Sequence, residues 1–376
     1  MRYASIRLGL QQRVLPSYRA PFFDTLAARC DGGLSVFAGK PRPDEMIESG
    51  KTLEVAQLWP ARNLHLFKGQ FYLCWQIGWR RWLTAWQPDA LILEANPRYL
   101  HVPWMSRWMH RRGRPVIGWG LGAPPAAGMF SKWRERSRRS FLAGFDVLIT
   151  YSRQGADEYR RMGFPQERIF VAPNAVSPRP GWKLPERPPG FTGRPVILFV
   201  GRLQARKRVD LLIRACAALQ NKFSPILWIV GGGPAQPELE ALAKQVYPQA
   251  QFLGPRYGAD LAALFKQADL FVLPGTGGLA VQEAMAYGLP VAVAEADGTQ
   301  SELVRSENGW MLPPGDLNAL IAVLAQALSD PARLRQMGRC SYQIVADEIN
   351  LEHMVEVFQS ALNFARRPEN ARASCG

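Results

Sequence analysis

The sequence predicts an α/β fold of two doubly wound domains, each a parallel sheet covered by helices. Three observations predict it. Apolar runs of strand length alternate with helical stretches along the 376 residues. The runs of the second half, such as VILFVG, LWIV and DLFVLP, are near-continuously apolar, as strands buried on both faces must be. Seven prolines fall between Pro173 and Pro195, an extended linker that separates the two alternating series.

In chain order, RYASIRLGL reads as a strand and the loop QQRVLPSYRAP leads into the helix FFDTLAARC. GLSVFAG and DALILEANP are strand-like, and the latter ends by presenting Glu94, Asn96 and Arg98. Three segments between residues 69 and 141 read as helices that mix Trp, Phe and Met with clustered Arg: GQFYLCWQIGWRRWLTAW, HVPWMSRWMHRRGR and FSKWRERSRRSF. PVIGWGLG, DVLITYS and RIFVAPNAV are the remaining strands of the first series. After the linker come VILFVG, SPILWIVGGGP, QFLGP, DLFVLP, PVAVAEADG and NGWMLPPGD, with helical stretches between them. A last helix, about Leu351 to Phe364, has no strand after it and could pack back onto the first domain. The domain expectation is therefore 1–180, 181–350, and a crossing helix with its tail over 351–376.

Charge is unevenly held. The chain carries a net +15, and residues 1–180 hold 27 Lys and Arg against 13 Asp and Glu. The basic half bears on partners rather than on fold. Aromatic rings beside arginines suit the headgroup region of an anionic membrane. The same helices also read as core aromatics with a solvated basic face. Nucleic acid is not expected, because no RNP, zinc-finger or helix-turn-helix pattern accompanies the charge. No apolar run nears the roughly 18 residues of a membrane span, and the first residues lack an apolar leader, so a cytoplasmic chain is expected. Five widely spaced cysteines without a CxxC indicate neither a disulfide framework nor a zinc site.

The chemistry centres on GTGGLAVQEAMAYGLP, residues 275–290, between two strand-like runs. Gly275, Gly277 and Gly278 allow a sharp turn, and the amides of Leu279, Ala280 and Val281 open a helix whose start favours an anion. Glu283 cannot bind phosphate but suits a pair of ribose hydroxyls. Arg202 and Lys207 follow the strand VILFVG on the same sheet edge, one offering a planar fork and the other a point charge. Taken singly, these are a plain βα loop and two solvated cations. Taken together, they form a clamp for the diphosphate of a nucleotide.

With those residues in place, the chain resembles the retaining glycosyltransferases of family four. The matching pieces are VGRLQARKRVDLLIRA, IVGGGP, FLGPRYGADLAALFKQADLFVLP, GGLAVQEAMAYGLPV and NGWMLPPGD in residues 194–330, with VLITYSRQGADEYRRMGFPQERIFVAPNAV in the first half. The resemblance implies the GT-B fold, two doubly wound Rossmann-like domains facing across a cleft, and transfer of a hexose-type sugar with retention. It also implies that Arg202 and Lys207 hold the donor diphosphate as it leaves, with Gly278 and the amides of Leu279 and Ala280 adding phosphate contacts. Glu283 would hold the ribose, and the loop with Arg256 and Tyr257 the base. No cofactor and no metal are expected, and a nucleotide-diphosphate sugar is the donor substrate. The acceptor, a glycan or lipid-linked glycan, would meet Tyr18, Arg19, Glu94 and Arg98 of the first domain. Trp119 stands where many members carry a His.

One departure is a missing acid: the family often pairs two glutamates eight positions apart, and the position eight before Glu283 is Gly275. That keeps open a catalytically silent nucleotide-sugar-binding or scaffold protein. A nucleotide-sugar 2-epimerase is disfavoured, since none of the four histidines falls in a glycine loop at a strand end.

Overall fold

The computed structural model describes residues 6–42, 45, 53–125, 128, 130–296 and 299–367. The chain forms two compact units, Met1–Val176 with Leu351–Gly376, and Ser177–Asn350.

In the first unit the elements are β1 (Leu8–Val14), α1 (Ala20–Ala27), β2 (Leu34–Gly39), β3 (Gln57–Pro60), β4 (Arg62–Leu66), β5 (Leu73–Ile77), α2 (Trp79–Trp86), β6 (Ala90–Glu94), α3 (Val102–His110), β7 (Val116–Gly120), α4 (Ser131–Leu142), β8 (Val147–Thr150), α5 (Arg153–Arg161) and β9 (Ile169–Val171). Among the described residues, seven strands pair in the order β3-β2-β1-β6-β7-β8-β9, all parallel. Central strands such as Ala90–Leu93 and Val147–Ile149 are buried, because helices cover both faces. Carboxylates fix the amino-terminal edge: Asp146 accepts from the Val116 amide at 2.8 Å and from His110 Nε2 at 2.9 Å.

The segment 69–86 corrects one expectation. It is not one helix: a 3-10 turn at Gly69–Phe71 leads into Leu73–Ile77, which forms β5, antiparallel to β4, and the α-helix runs over Trp79–Trp86. Tyr, Cys, Trp and Ile in FYLCWQI are strand formers, and Gly78 at φ 100° starts the helix anew. The aromatics then divide. Trp79, Trp82 and Leu83 of α2 enter the core, and Trp82 donates to Ser35 at 2.9 Å. Phe67, Phe71 and Trp104 stay on the surface, with Phe130 at 66% and Trp133 at 70% exposed beside the five basic residues of α4.

The second unit contains β10 (Val196–Val200), α6 (Val209–Ala218), α7 (Gln220–Phe223), β11 (Ile226–Val230), α8 (Gln236–Val246), β12 (Gln251–Gly254), α9 (Gly258–Gln267), β13 (Leu270–Leu273), α10 (Leu279–Ala286), β14 (Val291–Ala294), α11 (Gln300–Leu303), β15 (Gly309–Leu312), α12 (Leu317–Ser329) and α13 (Pro331–Gln343). Six described strands run parallel in the order β12-β11-β10-β13-β14-β15. Asp316 and Asp330 cap α12 and α13 by accepting from Ala319 and Arg333 amides, each at 2.9 Å, a contribution of about 1 kcal/mol apiece.

The proline-rich segment also differs from the extended linker its composition suggests. Arg187 donates to the carbonyls of Phe265, Ala268, Tyr287 and Gly288, and Trp182 stacks on Tyr287 at 4.9 Å. Arg335 adds bonds to the carbonyls of Pro188 and Gly190, so the segment is strapped along the second unit. The final helix α14 (Leu351–Ala365) belongs to the first unit, where Phe358 packs against Phe22 and Trp119 at 4.9 Å each.

Candidate active site

Strand order in the second unit reverses between β10 and β13, which pair directly, so the loops at their carboxyl ends are neighbours. Ligands collect at such a switch point. The two loops touch. The Thr276 amide donates to the Arg206 carbonyl at 3.0 Å, and Arg206 Nη1 donates to Thr276 Oγ1 at 3.1 Å. Gly275 explains the closeness: a Cβ there would overlap the Arg206 carbonyl oxygen and come within 2.5 Å of the Lys207 carbonyl carbon. Gly277 sits at φ +128°, where a side chain would be strained, and a Cβ there would fall on Lys207 Nζ and displace it. The ammonium of Lys207 thus lies against the glycine loop.

The β10 loop is held from its other side by a second glycine run. Leu203 donates to Gly232 and accepts from Ala235, both at 3.0 Å, while Cβ atoms at Gly231 and Gly233 would strike the carbonyls of Gly201 and Leu203. Gln300 Nε2 reaches the Gly277 carbonyl at 3.2 Å. Arg206, Gln300, Gly231 and Gly233 are positioning residues to which the sequence reading gives no role of their own. Only IVGGGP carries a signal, three glycines after a strand.

Gly278 is the N-cap of α10 and offers no side-chain acceptor, so the amides of Leu279 and Ala280 at the helix start lack a cap. Lys207 has no carboxylate within ion-pair distance among the described residues, and its ammonium pKa is pulled down to about 8, by burial first and by Arg206 second. A half-buried cation beside uncapped amides is prepared for an anion. Arg202 is exposed at the start of the same loop. Glu283 lies half-buried on α10, and burial raises its carboxyl pKa. Arg256 and Tyr257 follow β12, both exposed. The structure therefore joins Lys207, Gly278, Leu279 and Ala280 at one loop pair, with Glu283 on the helix that starts there.

The Lys207 shift gives a pH dependence. A depressed lysine pKa leaves the ammonium intact below about 8 and removes it above. Affinity for a nucleoside diphosphate is expected to be flat up to roughly pH 7 and to weaken through pH 8–9. Titration calorimetry across that range checks it; an affinity unchanged to pH 10 contradicts it.

In the first unit, Tyr18, Arg19, Glu94 and Trp119 gather at the carboxyl ends of β1, β6 and β7. Glu94 and Trp119 are in register across β6 and β7. The Glu94 carboxylate accepts from the Arg13 amide at 2.5 Å, and burial pushes its pKa up to about 7 against the pull of Arg13 and Arg19. Trp119 is only 2% exposed and Arg19 6%, with the guanidinium 5.0 Å above the indole. Arg98 stands apart: it is exposed in the turn after β6, and no described contact links its guanidinium to the others. Among the described residues, no group of three or more His, Cys, Asp or Glu could hold a metal ion, and no helix is long and apolar enough to cross a membrane.

Comparison with known proteins adds to this geometry. Residues 194–330 match a family model described as glycosyl transferases group 1, and residues 23–175 one described as a glycosyl transferase 4-like domain. A D-inositol 3-phosphate glycosyltransferase of Salinispora tropica is 35% identical over 171 residues, 42% of this chain and 34% of that protein. A GDP-mannose-dependent alpha-mannosyltransferase of Mycobacterium tuberculosis is 35% identical over 167 residues, 42% of each. The chain thus spans about a third to two-fifths of the length of these two relatives. HepE from Anabaena, solved in complex with UDP, superposes with a TM-score of 0.69 at 17% identity, over 95% of this chain and 99% of that one. A glycosyltransferase from Rickettsia africae gives 0.71 at 12% identity, over 97% and 100%. At such identities the likeness shows the fold, which is GT-B.

Proposed function

The chain belongs to the group 1, family-four-like glycosyltransferases, and from that premise we propose that it transfers a hexose-type sugar from a nucleoside-diphosphate sugar to a glycan or lipid-linked glycan. The observation that carries the reading is Lys207 Nζ seated against Gly277, in a loop bonded to Thr276 of the glycine loop that leads into α10. As the sugar bond breaks, charge accumulates on the departing diphosphate. Lys207, Arg202 and the amides of Leu279 and Ala280 meet that charge without reorganising. These cations do what a metal would otherwise do, so the reaction is proposed to be metal-independent. Glu283 holds the ribose, and Arg256 with Tyr257 the base. Retention follows if the acceptor attacks from the leaving-group side and the departing phosphate oxygen takes its proton. The relatives support this donor class: one is named GDP-mannose-dependent, and HepE was solved with UDP.

The acceptor is assigned to the first unit, at Tyr18, Arg19, Glu94 and Trp119. The missing acid at Gly275 also favours a second reading, a silent nucleotide-sugar-binding protein. Incubation with nucleotide sugars separates the two. Slow release of nucleoside diphosphate without acceptor is expected, and its complete absence across a panel of donors contradicts transfer.

Peripheral attachment to an anionic membrane belongs to the same proposal, supported by Phe130 and Trp133 standing exposed among Lys132, Arg134, Arg136, Arg138 and Arg139. Phosphatidylglycerol vesicles at low salt should sediment the protein. Added salt and the pair Phe130→Glu and Trp133→Glu should each release it. No sedimentation at low salt contradicts the attachment.

A further inference from the structure

Arg19 and Trp119 share an anomaly. Arg19 Nη1 and Trp119 Nε1 are both buried and both lack an acceptor. Neither group can accept a hydrogen bond, so neither can satisfy the other. Two orphaned donors in one stack, the guanidinium over the indole at 5.0 Å, would each cost stability if nothing answered them. Their setting compounds the cost. Arg19 is the N-cap residue of α1, which has no side-chain cap and no acidic residue in its first turn. A cation at a helix amino terminus opposes the helix dipole. The remaining partner of the guanidinium is neutral: Nη2 donates to the Tyr151 hydroxyl at 3.2 Å. Glu94, the nearby carboxylate, accepts from the Arg13 amide, and it meets Arg19 through charge without a described hydrogen bond.

Donor-only groups left unpaired and a like-signed helix end are both answered by a ligand that brings acceptor oxygens and negative charge. We propose that Arg19 and Trp119 form a subsite for the phosphate of a phosphate-bearing acceptor. The role of this subsite rests on the reading of the first unit as the acceptor domain. Tyr18, 43% exposed and 5.7 Å from the Arg19 guanidinium, stands at its entrance.

The test uses the full chain with Arg202→Ala and Lys207→Ala, which removes the cations of the donor clamp; the amides of Leu279 and Ala280 remain, so the part of the binding lost on substitution at Trp119 or Arg19 is what reports on the first unit. Inorganic phosphate, geranyl phosphate and geraniol are titrated and followed by calorimetry. Both phosphates should bind and geraniol should not, and tighter binding of the prenyl ester would identify a lipid rather than a free phosphate as the source. Trp119→Phe removes the indole N–H together with the five-membered ring, so Tm should fall with the space left in the core; phosphate binding by the variant, measured while it is still folded, should weaken about tenfold. Arg19→Lys keeps the charge but loses the fork, and should weaken it further. Equal binding of geraniol, unchanged affinity in Trp119→Phe, or no phosphate binding by a folded protein would each overturn the subsite. The donor reading fails separately, if the parent chain binds no nucleoside diphosphate.

Discussion

Lys207→Met is expected to lower turnover of a nucleotide sugar by about 10²–10³ while leaving Tm unchanged or higher. The two effects have one origin. Removing one preorganised donor from a developing anion costs that much in rate. The pKa of Lys207, pulled down to about 8, shows that the fold holds this ammonium at a disadvantage. At neutral pH the folded state must keep the side chain charged where burial disfavours it, so its folded pKa lies below the unfolded one. By linkage, stability rises with pH through the window above about 8, as the folded protein gives up that proton first. Met has similar length and no charge to desolvate. Nucleoside diphosphate release measured beside a melting curve checks both halves. A variant that loses activity by unfolding would contradict the account, as would one that keeps full activity.

Gly275→Ala is expected to be nearly as damaging, from a methyl group alone. Its Cβ would enter the space of the Arg206 carbonyl and the Lys207 backbone. The two loops would have to separate, with the Thr276 to Arg206 bond lost and Lys207 carried away from Gly277. A loss of about a hundredfold or more in donor affinity follows, since a misplacement of about 1 Å in such a site can cost that much. Gly275→Glu should be no better, although it restores the acid common in the family. Gly232→Ala is the control: its Cβ would meet nothing closer than 3.6 Å, so affinity should be preserved. If Gly275→Glu raises activity, the loop contact described here does not limit the site.

Much of this was legible in the sequence because it depends on local pattern. Buried parallel strands must be apolar throughout, which gave VILFV and LFVL their assignments. A glycine loop between strand and helix pointed to the helix start whose amides, at Leu279 and Ala280, the structure leaves without a side-chain cap. What escaped depends on contacts between distant segments. Gly275 reads as a lost glutamate, whereas the structure shows a position where the backbone of residues 206–207 leaves no room for one. Arg206 and Gln300 look like ordinary polar residues until Thr276 and Gly277 are found beside them. Over 69–86, a strand and a helix abut with only Gly78 between them, and a continuous aromatic run hides the junction. Prolines from 173 to 195 suggest an extended linker, and nothing in their spacing shows that Arg187 would bind four carbonyls of the second unit.

The central claim is that the β10 and β13 loops grip a diphosphate. Titration calorimetry of UDP and UMP, and of GDP and GDP's monophosphate, against the parent chain and Lys207→Met tests it most directly. The parent should bind one diphosphate at least tenfold more tightly than its monophosphate, and Lys207→Met should erase most of that difference. Equal affinity for di- and monophosphate in the parent, or a preference that survives the substitution, would contradict it.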